Sequence, residues 1–215
     1  MEWRLFEGVP DEHVRELLKV ARRRRFARNE VVFHRDDPGD SVHLVQRGRF
    51  AVRVMTPLGD LTTVAVRGPG ESFGEMALVA VEPRRSATVA ALEEAETMAV
   101  FRDDFDLVRR RHASVDGMLL RFLAAEVRML NERLLEALYV PVEKRVRRRL
   151  VELSVLYGGE PPLIPLTQET LAELAGATRP TVNQVLRDEE RRGTIELSRG
   201  RIRILDVDEL ARRGR

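Results

Sequence analysis

The chain has 215 residues, 43% of them hydrophobic and 33% charged, which suits one large folded domain or two small ones and excludes a disordered protein. Lys+Arg and Asp+Glu number 37 and 35, a net charge of +2, so bulk charge alone does not select a nucleic-acid partner. With no cysteine, disulfides, cysteine-held iron–sulfur clusters, thiolate haem ligation and thiol redox sensing are excluded.

In chain order, residues 11–24 read as a short amphipathic helix with Val14, Leu17, Leu18 and Ala21 on one face, and Arg22–Arg25 as its solvated end. From Glu30 to Val100 the pattern becomes short runs of Val, Phe and Leu: 31–33, 42–45, 50–54, 61–66, 88–91 and 97–101. Turn signals separate them at 36–40, Arg47-Gly48, Pro57-Leu58-Gly59-Asp60 and Gly68-Pro69-Gly70, which predicts a closed β-sandwich or β-roll. Asp103 opens a helical region. From Gly117 it takes a coiled-coil period, with Leu120, Leu123, Val127, Leu130, Leu134 and Ala137 spaced alternately three and four apart. That seam predicts a partner helix, and it stops at Tyr139-Val140-Pro141, where proline disfavours helical geometry in the residue before it.

Beyond the break, 142–157 reads as a helix ended by Gly158-Gly159 and a proline-rich loop to Pro165. Thr167 caps a helix over 168–175, Gly176-Ala177-Thr178 turns the chain, and Thr178 caps a second helix over 179–191 with Pro180 in its first turn. Strands 194–198 and 201–205 around Arg199-Gly200 complete a winged helix-turn-helix, with Leu171, Leu174, Ala175, Val182, Val185 and Leu186 as its core. Residues 141–215 carry 15 Lys+Arg against 12 Asp+Glu, and the remainder 22 against 23, so the C-terminal third is the better candidate for DNA.

The densest chemistry lies in Phe73-Gly74-Glu75-Met76-Ala77-Leu78 followed by Pro83-Arg84-Arg85-Ser86-Ala87. Gly74 lets backbone approach a ligand closely, Glu75 can accept hydrogen bonds from a ribose hydroxyl, and Arg85 can neutralise a phosphate with a charge-assisted fork. The other reading of the pair is a structural ion pair inside a ligand-free roll. No nucleophile–base pair, metal cluster or P-loop appears. His13, His34, His43 and His112 lack metal-like spacing, so no catalytic residue and no metal ligand is expected. No segment is apolar enough to span a membrane, no signal peptide is seen, and a cytoplasmic protein is expected.

In this order the motifs resemble the cyclic-AMP receptor protein/FNR family of bacterial regulators over about residues 5–205. The resemblance implies an α+β chain: an N-terminal cyclic-nucleotide-binding β-roll (a jelly roll) over 1–112, a dimerisation helix and hinge over 113–140, and a winged helix-turn-helix DNA-binding domain over 141–215. It further implies that Glu75 holds the ribose 2′-hydroxyl and Arg85 the cyclic phosphate. Ser86 is a second phosphate contact, and Gly74, Met76, Ala77 and nearby backbone complete the cradle. Leu130 and Asn131 fall where the cyclic AMP receptor uses adjacent Thr and Ser to contact adenine, one from each subunit. Leu130 cannot donate that hydrogen bond, while Asn131 offers both a donor and an acceptor. Cyclic AMP is the first choice of ligand, with cyclic GMP, another nucleotide or none as alternatives.

By the same resemblance Arg179 reads a guanine, Pro180 replaces a glutamate and Gln184 an arginine. Arg179, Asn183, Gln184 and Arg187 are expected on one exposed face, with Thr167, Gln168, Thr178 and Thr181 bonding phosphates. The implied partners are double-stranded DNA at an inverted repeat, a second copy of the chain, and RNA polymerase. A ligand-independent regulator of the same fold is the alternative.

Overall fold

The computed structural model describes residues 3–57 and 59–215, so Met1, Glu2 and Leu58, the last inside the expected turn at 57–60, lie outside the described residues. The chain forms two compact units, up to Arg128 and from Met129 onward.

In the first unit α1 runs Asp11–Val20 and buries Leu17. It stops four residues short of the expected end, because Arg22–Phe26 forms a strand instead, β1, paired antiparallel with β8 (Ala95–Phe101). Four consecutive arginines offer a helix no apolar face. On an edge strand all four stay exposed, and their charge discourages further strand pairing. Strands β2 (Val31–Phe33), β3 (Ser41–Arg47), β4 (Phe50–Met55), β5 (Leu61–Arg67) and β7 (Thr88–Ala91) lie where the apolar runs predicted them. The two-residue β6 (Ser72–Phe73) is too short to show as a pattern.

Two four-stranded antiparallel sheets result, in the orders β1-β8-β3-β6 and β2-β7-β4-β5. Phe26, Val45, Phe50, Phe73 and Val89 form one buried cluster within this unit, with Phe50 and Phe73 centroids 4.9 Å apart. A second cluster, including Leu44, Val100, Phe105, Val108, Met118 and Phe122, packs α3 (Arg102–Arg111) and the start of α4 (Ser114–Tyr139) onto the roll.

Along α4, Val115, Met118, Leu119 and Phe122 are buried, and Leu123 packs beside them. Leu120, Val127, Leu130 and Leu134 are each more than half exposed, an apolar row that nothing among the described residues covers. The expected seam is therefore split: Leu123 serves the roll, and Ala137 is exposed with the other four.

The second unit holds α5 (Val142–Tyr157), β9 (Leu163–Ile164), α6 (Gln168–Ala175), α7 (Arg179–Arg191), β10 (Ile195–Ser198), β11 (Arg201–Ile204) and α8 (Val207–Gly214). The bounds of α5, α6 and α7 match the capping signals to the residue, and β9 extends the wing to the sheet β10-β11-β9. The helix α8 was not anticipated. Its signal was present in Asp206, whose carboxylate accepts the Glu209 N–H at 2.8 Å, four residues before the buried Leu210.

Candidate functional site: a cleft in the roll and a groove beside the wing

Just after β6 the chain turns at Gly74, with φ of +83°, and enters a single helical turn, α2 (Met76–Val79). A Cβ at Gly74 would lie 2.7 Å from Arg85 Nη1 and 3.0 Å from the Ser41 carbonyl oxygen. The glycine is thus needed twice, for its backbone conformation and for the space that Arg85 fills.

Arg85 is 5% exposed. Its Nη1 donates to the Ser41 carbonyl at 2.6 Å and to the Gly74 carbonyl at 3.4 Å; Nη2 donates to Asp40 Oδ1 and Ser41 Oγ, both at 3.0 Å. The guanidinium lies 4.0 Å from the centroid of the Phe33 ring, and Nε is buried without a partner. Burial pulls its pKa down from the ordinary arginine value, opposed first by Asp40. It stays charged, since guanidinium does not deprotonate in proteins.

Burial pushes the Glu75 carboxyl above the usual carboxylate range. Its own backbone N–H and Arg67 oppose that shift, Glu126 adds to it, and Arg85 opposes it more weakly. Among the described residues Glu75 makes no salt bridge, so the structural ion pair with Arg85 is not formed.

The cleft between these groups has a volume of about 460 Å³, its open mouth included, and is lined by Phe33, Arg67, Ser72, Gly74, Glu75, Met76, Ala77, Arg84, Arg85 and Ser86 among others. Gly74, Glu75, Met76, Ala77, Arg85 and the exposed Ser86 are therefore brought together. Leu130 and Asn131 are exposed on α4 and are not among the lining residues. Arg67 and Ser72 escaped the sequence reading because each sits at the end of a strand, where a polar residue is unremarkable. Ser72 Oγ is buried and unpartnered. An unpaired carboxylate, a buried guanidinium with a spare donor and a free hydroxyl suit an anion joined to a hydroxyl-bearing ring.

In the second unit the side chains of Thr167 and Thr178 accept the N–H groups of Thr170 and Thr181 at 3.1 and 3.4 Å, opening α6 and α7. Gly176 turns between them in the left-handed region, with φ of +59°. Arg179, Pro180, Gln184 and Arg187 are exposed, Thr181 and Gln168 half-buried. Asn183, expected on the exposed face, is half-buried because it faces a groove of about 1250 Å³ shared by Thr167, Gln168, Arg179 and the wing residues Leu197–Ile202. Leu174 is also half-buried rather than core.

Charged ties set the recognition elements. Arg145 donates to the Ala137 and Val140 carbonyls at 3.2 and 3.1 Å, and to those of Ala175 and Gly176 at 3.0 and 2.8 Å. Glu189, fully buried on the back of α7, accepts from Arg147 at 2.8 Å, Arg213 at 2.7 Å and Thr194 at 2.9 Å. A carboxylate with this many charge-assisted donors is well compensated in an apolar interior. None of these positioning residues was singled out from the sequence.

Taken separately, the first unit is a β-roll with a polar cleft and the second a winged helix-turn-helix. Comparison with known proteins agrees with both. Residues 23–112 match the family of cyclic nucleotide-binding domains, and 144–213 match the Crp-like helix-turn-helix domain. The chain is 30% identical to the CRP-like cAMP-activated global transcriptional regulator of Mycobacterium tuberculosis, covering 98% of this chain and 96% of the relative. It is 33% identical to the cyclic AMP receptor protein of Thermus thermophilus, over 94% and 93%. The crystal structure of the Thermus thermophilus catabolite activator protein aligns with a TM-score of 0.57 at 31% identity over 98% of both chains. FixK2 of Bradyrhizobium japonicum shares the fold, with a TM-score of 0.78 at 19% identity over 90% and 96%. The chain belongs to the cyclic AMP receptor protein family: it is a DNA-binding transcription regulator with a cyclic nucleotide-binding domain. The two relatives named above, which it matches over nearly its whole length, are regulators, which implies a non-enzymatic role. No described helix is long and apolar enough to cross a membrane.

Proposed function

We propose that the chain works as a homodimer whose affinity for DNA is set by a cyclic nucleotide, cyclic AMP, held in the roll cleft. In this reading Glu75 accepts from the ribose hydroxyl, Arg85 and Ser86 take the cyclic phosphate, and Gly74, Met76 and Ala77 line the cradle. Leu130 and Asn131 meet the base across the dimer. The chain divides as 1–112 for the roll, 113–140 for the dimer helix and hinge, and 141–215 for DNA, and it acts in the cytoplasm. Arg179 reads a guanine and Gln184 a neighbouring base, with Pro180, Asn183 and Arg187 beside them. Thr167, Gln168, Thr178 and Thr181 bond phosphates, half-sites lie about 34 Å apart in an inverted repeat, and RNA polymerase is the next partner.

The observation that carries the ligand reading is Arg85: a buried guanidinium with an unused donor, lining the same cleft as the half-buried Glu75 carboxylate, which makes no salt bridge among the described residues. The uncovered apolar row on α4 supports the dimer. Calorimetric titration of the full chain with cyclic AMP, and with cyclic GMP as control, tests the site. Saturable binding that Arg85→Leu weakens by at least about tenfold is expected, since a hydrogen bond to a charged group contributes about 1.5–3 kcal/mol. No binding of either nucleotide would favour a ligand-independent regulator, with Arg85 kept only for its ties to Asp40 and Ser41.

A further inference from the structure

We propose that Arg67 is a positioning residue that carries occupancy of the roll cleft to the long helix α4, by way of Glu126. The inference rests on the cleft being the nucleotide site.

Arg67 ends β5 and lines the cleft together with Glu75. Its side chain is 16% exposed. Nη2 donates to Glu126 Oε2 on α4 at 2.9 Å, and Nη1 donates to Glu71 Oε1 at 3.3 Å. Glu71 is fixed by the loop before β6, since its other oxygen accepts the Gly68 N–H at 2.7 Å. Glu126, only 15% exposed, is the member of this group that belongs to the helix. Val127 follows it directly and Leu130 lies one turn on, both in the uncovered apolar row.

One guanidinium is therefore bonded to two carboxylates, Glu71 and Glu126, and acts electrostatically on a third, Glu75. A single cation cannot fully compensate three buried or half-buried anions, so any change at one alters its hold on the others. The electrostatics already link them, because Arg67 opposes and Glu126 reinforces the upward push of burial on Glu75. A hydroxyl donated to Glu75 favours its charged form and strengthens its pull on Arg67. That pull acts within the cleft that both residues line, and it competes with the hold of Glu126 on the same guanidinium. The tie to α4 is then re-set at the turn of helix that precedes the exposed row. Neither residue needs to touch the ligand for this to work.

The test uses the full chain and hydrogen–deuterium exchange read by mass spectrometry on peptides covering 119–131, with and without cyclic AMP. In the unsubstituted protein the ligand is expected to change protection there by about fivefold or more, the lower edge of ordinary allosteric coupling. Glu126→Gln is expected to bind cyclic AMP within about fivefold of the original yet lose that response. Arg67→Lys, which keeps the charge without the planar fork, is expected to retain part of it. Should Glu126→Gln fail to fold by circular dichroism, Glu126→Asp decides, with a diminished response expected from its withdrawn carboxylate. A full response in Glu126→Gln or Glu126→Asp overturns the strut and leaves the nucleotide site standing. No calorimetric binding by the unsubstituted protein overturns the site reading, and the strut falls with it.

Discussion

Acidification is expected to loosen the roll through His43. The residue is 6% exposed, its ring stacked on Phe73 at 5.0 Å and its Nδ1 paired with Thr97 Oγ1 at 3.0 Å. Burial, helped by the charges of Arg85 and Arg24, lowers its pKa to about 3. An unfolded histidine titrates near 6.5, so below that pH the unfolded chain binds a proton that folded His43 refuses. The contribution to stability is intact above pH ~6.5 and declines as the pH falls toward 3. Between pH 7 and pH 5 the linkage relation gives a loss of about 2 kcal/mol, or roughly 4–8 °C in the melting of a unit of this size. Glu75 acts in the opposite sense, since its raised folded pKa adds stability at the acid end that declines as pH rises. It is common to the original and to His43→Gln, so the difference between their melting temperatures at pH 7, 6 and 5 isolates His43. Parallel pH dependence in the two proteins would refute the reasoning. The consequence reaches the cleft, because Phe73 under the ring runs directly into Gly74.

Other perturbations have equally definite outcomes. Gly74→Ala places a Cβ 2.7 Å from Arg85 Nη1 at a φ of +83°, so thermal melts should show a loss of at least about 1–2 kcal/mol and calorimetry a loss of nucleotide binding. Leu134→Glu, in the uncovered row of α4, should shift the protein from dimer to monomer in light scattering while leaving its circular dichroism unchanged. Arg179→Ala should lower discrimination at one G·C position by about 1–3 kcal/mol, read by gel shift on single-base variants of a selected site. Arg213→Gln removes one of two arginines on the buried Glu189, and a fall in melting temperature of several degrees is expected from that unit.

Much of the fold is legible in local chemistry. The helix bounds at 142–157, 168–175 and 179–191 followed from a proline, two threonine caps and two glycines, because a cap acts on its own first turn and needs nothing distant. The strands of the roll followed from apolar runs and turns for the same reason. What stayed hidden depends on partners far along the chain. Arg22–Arg25 carry no strand signal and become one only because Ala95–Phe101 offers an edge. Of the cleft, Gly74, Glu75 and Arg85 were legible, since their residue types and spacing state the chemistry. Arg67, Ser72 and Asp40 were not, because their places come from sheet geometry that brings residues 67, 72 and 85 around one cavity and ties Asp40 to Arg85.

The charge of the second unit shows the same division more sharply. A run such as Lys144-Arg145-Val146-Arg147-Arg148-Arg149 looks like the natural nucleic-acid contact, yet each of its cations is spent internally. Lys144 donates to the Arg215 carbonyl, Arg145 to four carbonyls, Arg147 to Glu189, Arg148 to Glu136 and Gly214, and Arg149 to Glu136 and Glu152. Arg187, Arg191, Arg203 and Arg212 face carboxylates on their own helix or hairpin. Among the described residues of this unit, the arginines whose side chains have no such partner are Arg179, Arg192, Arg199, Arg201 and Arg215. Three of these five line the groove between α7 and the wing, beside Thr167 and Gln168. A net surplus of +3 over residues 141–215 could not locate that concentration. What would mark a surface for a polyanion is which cations the fold leaves uncommitted, and three of those five gather on the face that carries Arg179.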